Sequence, residues 1–276
     1  MRKTDILKPF SALFHSFQKL PSIISIGLLV FATILITSLS LFFESRSSIS
    51  SSSHSFTTLF NNKELPIYCV DTPKKEIALS FDAAWGNEDT QKILKTLKKN
   101  DVHVTFFMTG GWIEKYPDDV KAIAKAGHEL GNHSENHKQM SKLSTEECKE
   151  EIMTPHEKVK KLTGKDMKVF RPPYGDYNDT LINAVHTCGY QAIQWDVDSL
   201  DWKDYGVDSI INTVLNHKHL GNGSIILCHN GSKYTAEALD SLIKGLKEKG
   251  YTFVTMSELV YKGECEIDVE GRQHKK

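Results

Sequence analysis
From Lys74 to about Val260, short runs of β-branched and aromatic residues alternate with amphipathic segments, and this alternation restricts the chain to a parallel α/β architecture. The strand-like runs are 77–81 (IALSF), 104–108 (VTFFM), 128–130 (HEL), 169–170 (VF), 192–197 (AIQWDV), 224–228 (SIILC) and 253–256 (FVTM). Between them, apolar residues recur at helical spacing: Ile93 with Leu94 and Leu97, Val120 with Ile123 and Ala124, Leu181 with Ile182 and Val185, Ile210 and Ile211 with Val214 and Leu215, and Leu239 with Leu242, Ile243 and Leu246. Asn100, Gly127, Gly164, Gly189 and Gly250 punctuate the helix ends. The longest helical segment opens at Ser144-Thr145-Glu146-Glu147 with capping-box spacing and meets Pro155, which should kink or divide it. No GxGxxG follows the first strand, which argues against a dinucleotide-binding sheet. The expected fold is α/β, a distorted (β/α) barrel of seven or eight strands, irregular because the third and fourth runs are short.

Upstream, the text changes character twice. Pro21 to Phe43 carries no charged residue and is long enough to cross a hydrocarbon core of about 30 Å as one helix. Arg2, Lys3, Lys8 and Lys19 precede it and Glu44 follows, so the positive-inside bias keeps residues 1–20 in the cytoplasm and sends the rest out. The run exceeds the h-region of a cleaved signal peptide, and no A-x-A site follows it. The expectation is a single-pass signal-anchor at 21–43, a Ser-rich tether and lead-in at 44–73, a folded domain at 74–262 and a polar tail at 263–276. A net charge of −1 gives no basic field for nucleic acid. Five cysteines without a CxxC pattern leave two readings: unrelated thiols, or a bridge from Cys69 to Cys265 joining the ends of the domain.

In a βα barrel the loops at the C-terminal strand ends form the working face. Asp82 follows the first strand, His133 the third, Arg171-Pro172-Pro173-Tyr174-Gly175 the fourth, Asp198-Ser199-Leu200-Asp201-Trp202 the fifth and His229 the sixth. Polar groups gathered at one end of an apolar sheet cost desolvation unless they find partners, and chance would scatter them over both ends. If the backbone turns helical after Ser134, His133 and His137 lie one turn apart and can grip one metal ion. Taken singly, each group has a plainer reading: Asp82 or Asp201 as a helix cap, the Pro-Pro-Tyr-Gly run as a rigid turn, Trp202 and His229 as core. Trp85, Trp112, Tyr174, Tyr177 and Trp202 fall near strand ends or loops, where aromatic faces stack on sugars or simply pack.

The order SFD (80–82), HSENH (133–137), RPPYG (171–175), DSLDW (198–202) and LCH (227–229) resembles the five motifs of the polysaccharide deacetylase family, the NodB-homology domain of family 4 carbohydrate esterases. The resemblance covers about Lys74 to Val260. It implies a distorted (β/α) barrel that removes N-acetyl groups from a glycan with a divalent metal, zinc first, with cobalt or manganese as alternatives. By that resemblance Asp82 is the base, His133 and His137 are two of three metal ligands, and Arg171 orients the base. Tyr174 lends a backbone N–H to the oxyanion, Asp201 and Trp202 set the environment of the general acid, and His229 is that acid.

One position departs from the pattern. The family carries a second Asp after the base as third ligand, and here FDAAWG places Ala83 there. Three arrangements stay open: zinc held by His133 and His137 with waters, direct coordination by Asp82, or Glu88 or Asp89 swinging in. Similar FD-x-x-WG text occurs in sporulation-type and wall deacetylases of Gram-positive bacteria. The expectation is a monomeric, membrane-held, extracytoplasmic peptidoglycan N-acetylglucosamine deacetylase that leaves cationic amines and lowers lysozyme susceptibility. A sporulation or cortex enzyme acting on muramic residues is the alternative, and a catalytically weak glycan-binding module is the alternative of another class.

Overall fold
The computed structural model describes residues 64–276, so the expected membrane segment and residues 44–63 of the tether and lead-in lie outside the described residues. Among those described, no helix is long and apolar enough to cross a membrane. The chain runs β1 (Cys69–Val70), β2 (Glu76–Ala83), α1 (Thr90–Lys99), β3 (Thr105–Met108), α2 (Gly110–Lys115), α3 (Pro117–Lys125) and β4 (Glu129–Asn132). It continues through α4 (Thr145–Thr163), β5 (Val169–Phe170), α5 (Asp179–Thr187), β6 (Gln191–Ala192), β7 (Val197–Asp198) and α6 (Val207–Leu215). It closes with β8 (Ile225–His229), α7 (Thr235–Glu248), β9 (Thr252–Phe253), α8 (Met256–Leu259), β10 (Cys265–Ile267) and β11 (Arg272–Lys275).

The main sheet is parallel, in the order β6-β5-β4-β3-β2-β8-β7, with β9 pairing the start of β2. β6 and β7 do not pair, so the sheet is a curled half-barrel, and the distorted barrel expected from the repeat stays open at this seam. The cause lies in 192–197, expected as one strand. Between β6 and β7 the Asp196 carboxylate accepts the Ile225 N–H (2.7 Å) and the Ser224 hydroxyl (3.0 Å), replacing ladder bonds. The lead-in spans the opening instead, bridging Ile67 to Ile193 and Cys69 to Ser224.

Alternation along β2 sorts its side chains to two faces. Ile77, Leu79, Phe81 and Ala83 join the cluster between sheet and helices, whereas Ala78 joins the smaller cluster inside the curl with Phe107 and Ile225. Burial on both faces explains why β2 reads as an almost unbroken apolar run. The inner face rises from Ala78 through Ser80 to Asp82, so the acid emerges at the C-terminal rim. At Gly131 on β4 an added Cβ would sit 2.6 Å from Phe107 Cδ1, so only glycine lets these inner faces approach.

Helix α4 opens on the expected capping box of Ser144 and Glu147 and ends at Gly164 in the left-handed region (φ 73°), but it runs through Pro155 undivided. Residues 263–276 are not a loose tail: β10 and β11 pair antiparallel, and β11 pairs parallel with β1. Strand β11 therefore separates the strands carrying Cys69 and Cys265, and both thiols are free, so the bridge between them is not formed.

Candidate active site
The polar strand ends converge. Asp82, His133, His137, Tyr174, Trp85, Trp202 and His229 line one cavity of about 390 Å³, with Asp198 and Trp195 completing its wall. Strand register sets this up, because Asp82 on β2 is paired directly with His229 on β8. Arg171, the largest fully buried side chain, lies beneath. Its Nη1 donates to Asp82 Oδ1 (2.6 Å) and to Ser80 Oγ (2.9 Å), and Nη2 donates to the Gln194 carbonyl (3.2 Å). The guanidinium carbon sits 4.1 Å from the centre of the Phe107 ring. Burial alone would raise the Asp82 carboxyl, but the Arg171 guanidinium, helped by His133 and His229, brings it below its ordinary value. Asp82 is held ionised.

His133 and His137 do meet, with ring centroids 4.9 Å apart, but not through a helical turn. The chain bends, with Ser134 (φ 68°) and His137 (φ 53°) in the left-handed region, a conformation that needs support in a non-glycine residue. The support is a ring of hydrogen bonds. Ser134 N–H donates to Asn132 Oδ1 (3.0 Å) and His137 N–H to Ser134 Oγ (3.0 Å). Asn136 donates its backbone N–H and its side-chain amide to the buried Glu151 carboxylate (2.8 Å each). Asn132 and Glu151 are positioning groups with no counterpart in the sequence reading. Their side chains point away from the rim, so strand-end position gave no signal for them.

His133 Nδ1 lies 2.7 Å from the Arg171 carbonyl oxygen, which can only accept, so Nδ1 carries the hydrogen. Nε2 then presents a lone pair to Asp82 Oδ2 across 3.5 Å. Two lone-pair bearers at that separation repel unless a cation shares the gap. Burial lowers His133 to about 4 and also lowers His137, so both imidazoles are neutral, as metal ligation requires. In kind these donors suit a borderline divalent cation. In arrangement they fall short: among the described residues no group of three or more His, Cys, Asp or Glu side chains is gathered as a metal site. Ala83 is fully buried in the apolar cluster with Phe81 and Met108, and neither Glu88 nor Asp89 lines the cavity.

Opposite this pair, His229 Nδ1–H donates to Asp201 Oδ1 (2.7 Å). Asp201 is no helix cap. Its Oδ2 accepts the His229 backbone N–H (2.7 Å) and the Thr235 hydroxyl (2.6 Å). Burial would lower His229, but the bond to Asp201 and its charge raise the imidazole above its ordinary value. With Nδ1 engaged by Asp201, Nε2 is left for the cavity that His229 lines.

The aromatics separate into two groups. Trp85 (58% exposed), Tyr174 (66%) and Trp202 (54%) stand around the cavity mouth, and Trp85 and Tyr174 pack edge-on against His137. Trp112 instead is buried and donates its indole N–H to the Gly86 carbonyl, and Tyr177 is packed against the core, so neither is a platform. Tyr174 has φ 60°, and the turn around it uses the N–H groups of Gly175 and Asp176, leaving the Tyr174 N–H outside the turn's own bonds. Asp198 was legible at a strand end; Trp195 was hidden inside a run read as continuous strand.

A family model described as polysaccharide deacetylase matches residues 70–193. An uncharacterized 30.6 kDa protein of Geobacillus stearothermophilus is 42% identical over 207 residues, covering 72% of this chain and 76% of its own. A peptidoglycan-N-acetylglucosamine deacetylase of Bacillus cereus is 37% identical over 208 residues, 73% of this chain and 75% of its own. Among solved structures, BA3943 of Bacillus anthracis, described as a CE4 family pseudoenzyme, superposes with a TM-score of 0.67 at 35% identity, covering 70% of this chain and 68% of its own. A mutant of BA3943 is described as having restored enzymatic activity.

Proposed function
The chain belongs to the polysaccharide deacetylase family, and from that membership we propose that it is a glycan N-deacetylase acting on the acetamido sugars of peptidoglycan. The observation that carries the reading is the pairing of two oppositely tuned groups across one cavity: Asp82, held ionised by Arg171, and His229, whose protonated form Asp201 favours. A pure binding module has no use for such a pair.

Asp82 accepts a proton from the water that attacks the acetamide carbonyl carbon. The Tyr174 backbone N–H, outside the bonds of its own turn, would receive the oxygen on which negative charge develops. As the C–N bond breaks, Nε2–H of His229 protonates the departing sugar amine, and acetate is the second product. A divalent cation, zinc first by donor type, would be held by His133 and His137 and would supply Lewis-acid polarisation of the carbonyl. Trp85, Tyr174 and Trp202 hold the sugar over the cavity by stacking on its faces.

N-acetylglucosamine is the preferred residue on the strength of the Bacillus cereus relative, with muramic residues as the alternative because relatives named for that activity are 34–37% identical. The apolar run at 21–43 supports placement of the domain outside the cell on a membrane anchor. Acetate release from chitotetraose and from a muramyl glycan by the full-length protein, with zinc, cobalt or manganese supplied, tests the reading. Release by the parent and loss in Asp82→Asn and His229→Ala are expected. Glycan binding without acetate release by the parent would instead establish a binding module, the reading favoured by Ala83 and by the likeness to a pseudoenzyme.

A further inference from the structure
Among the described residues five large apolar side chains are exposed, and three of them, Trp85, Tyr174 and Trp202, ring the cavity. Tyr205, 69% exposed, does not line it, yet it follows directly after the turn that carries Trp202. That turn is strained: Leu200 and Asp204, which flank its single 3-10 turn at Asp201–Lys203, both have φ 55°, and Gly206 has φ 99°. Lys203 lies between the two rings, with Nζ 5.0 Å from the centre of Trp202 and 5.9 Å from that of Tyr205. Of the acids on the same stretch, Asp201 is bonded to His229 and Thr235, and Asp198 accepts the Leu200 N–H. Among the described residues Lys203 forms no ion pair. An aromatic pair and an unmatched cation are thus held out on a strained turn, contiguous with the cavity wall.

We propose that Trp202, Lys203 and Tyr205 form a second subsite that takes a carboxylate-bearing sugar of the muramic type, next to the sugar whose acetamide enters the cavity. The proposal rests on the reading that the cavity takes a glycan. The aromatic faces supply stacking that any sugar accepts, and Lys203 supplies the discrimination, because one ammonium matches one carboxylate. A lysine merely lying along its neighbours' rings would leave ligand preference untouched.

Calorimetric titration of the full-length protein with three probes tests this: chitotetraose, a GlcNAc–MurNAc tetrasaccharide with free lactyl carboxylates, and the methyl ester of that tetrasaccharide. The free acid should bind about fivefold more tightly than the ester, the range of one exposed charge pair. Lys203→Gln should erase that ratio without changing affinity for chitotetraose, Lys203→Arg should keep it, and Tyr205→Ala should weaken all three. Equal binding of acid and ester, a ratio that survives Lys203→Gln, or no binding of any probe overturns the subsite. Acetate measured in the same samples separates the two readings: preference without release sinks the catalytic reading alone, and release without preference sinks the subsite alone.

Discussion

Replacing Arg171 by Met removes the guanidinium and keeps much of the side-chain volume over Phe107. Both partners of the pair are out of solvent, with side-chain exposures of 0% for Arg171 and 6% for Asp82. Breaking a buried pair by deleting one partner leaves a charge without compensation and costs roughly 3–5 kcal/mol. For a domain of this size that corresponds to a fall in Tm of about 10 °C. The pH dependence has a definite sign. In the parent the depressed Asp82 carboxyl contributes stability that is complete above the unfolded value of about 3.9 and is lost as pH falls through the lower folded value. In Arg171→Met burial is opposed only by His133 and His229, so the folded value rises, and the penalty is present at neutral pH and relieved in acid. Urea midpoints at pH 7 and about pH 4 should therefore show the gap between parent and variant closing as pH falls. The double variant Asp82→Asn/Arg171→Met should recover most of the loss. A loss under about 1 kcal/mol at pH 7, or a double variant no more stable than Arg171→Met, would refute the assignment of Arg171 as the counter-charge that keeps Asp82 ionised.

Three further outcomes follow from the same geometry. Asp201→Asn removes the strongest influence raising His229 and leaves burial opposed only by the charges of Asp82 and Asp198, so the ring should lose its proton at lower pH and the alkaline limb of the rate profile should move towards acid; an unmoved NMR titration of His229 would contradict this. Glu151→Ala frees Asn136 and relaxes the bend that brings His137 to His133, so zinc affinity measured by titration should fall about tenfold, and an unchanged affinity would deny Glu151 its positioning role. Ala83→Asp places a carboxylate in an apolar cluster, so the metal-free variant should melt below the parent and regain stability with zinc; an equal zinc shift in both proteins would mean that position 83 does not reach the cation.

The rim was legible because strand ends obey a simple rule: an apolar run that stops at a charged residue places that residue at the working face. Asp82, His133 and His229 line the cavity, and Arg171 and Asp201 stand behind them as hydrogen-bond partners. What escaped were groups whose role depends on three-dimensional detail. The bend at Ser134 and His137 rests on Asn132 and on Glu151, which arrives from α4 and lies outside any motif. The opening between β6 and β7 hinges on Asp196 capturing Ile225 and Ser224, a competition between side chain and ladder that residue periodicity cannot register. Strands β10 and β11 were read as tail because CEI and RQHK carry too little apolar content, and their partner β1 comes from the other end of the described chain. Trp112 looked like a sugar platform because it follows β3, yet its indole N–H found a carbonyl and the ring went inside.

We propose that Asp82 and His229 act as one acid–base unit on an acetamide. Acetate release from chitotetraose by the parent, Asp82→Asn, His229→Gln and the double variant measures it most directly. Each single variant should lose on the order of 10²–10⁴ in rate, and the double should lose little more than the worse single. Single variants that release acetate at the parental rate would contradict the account.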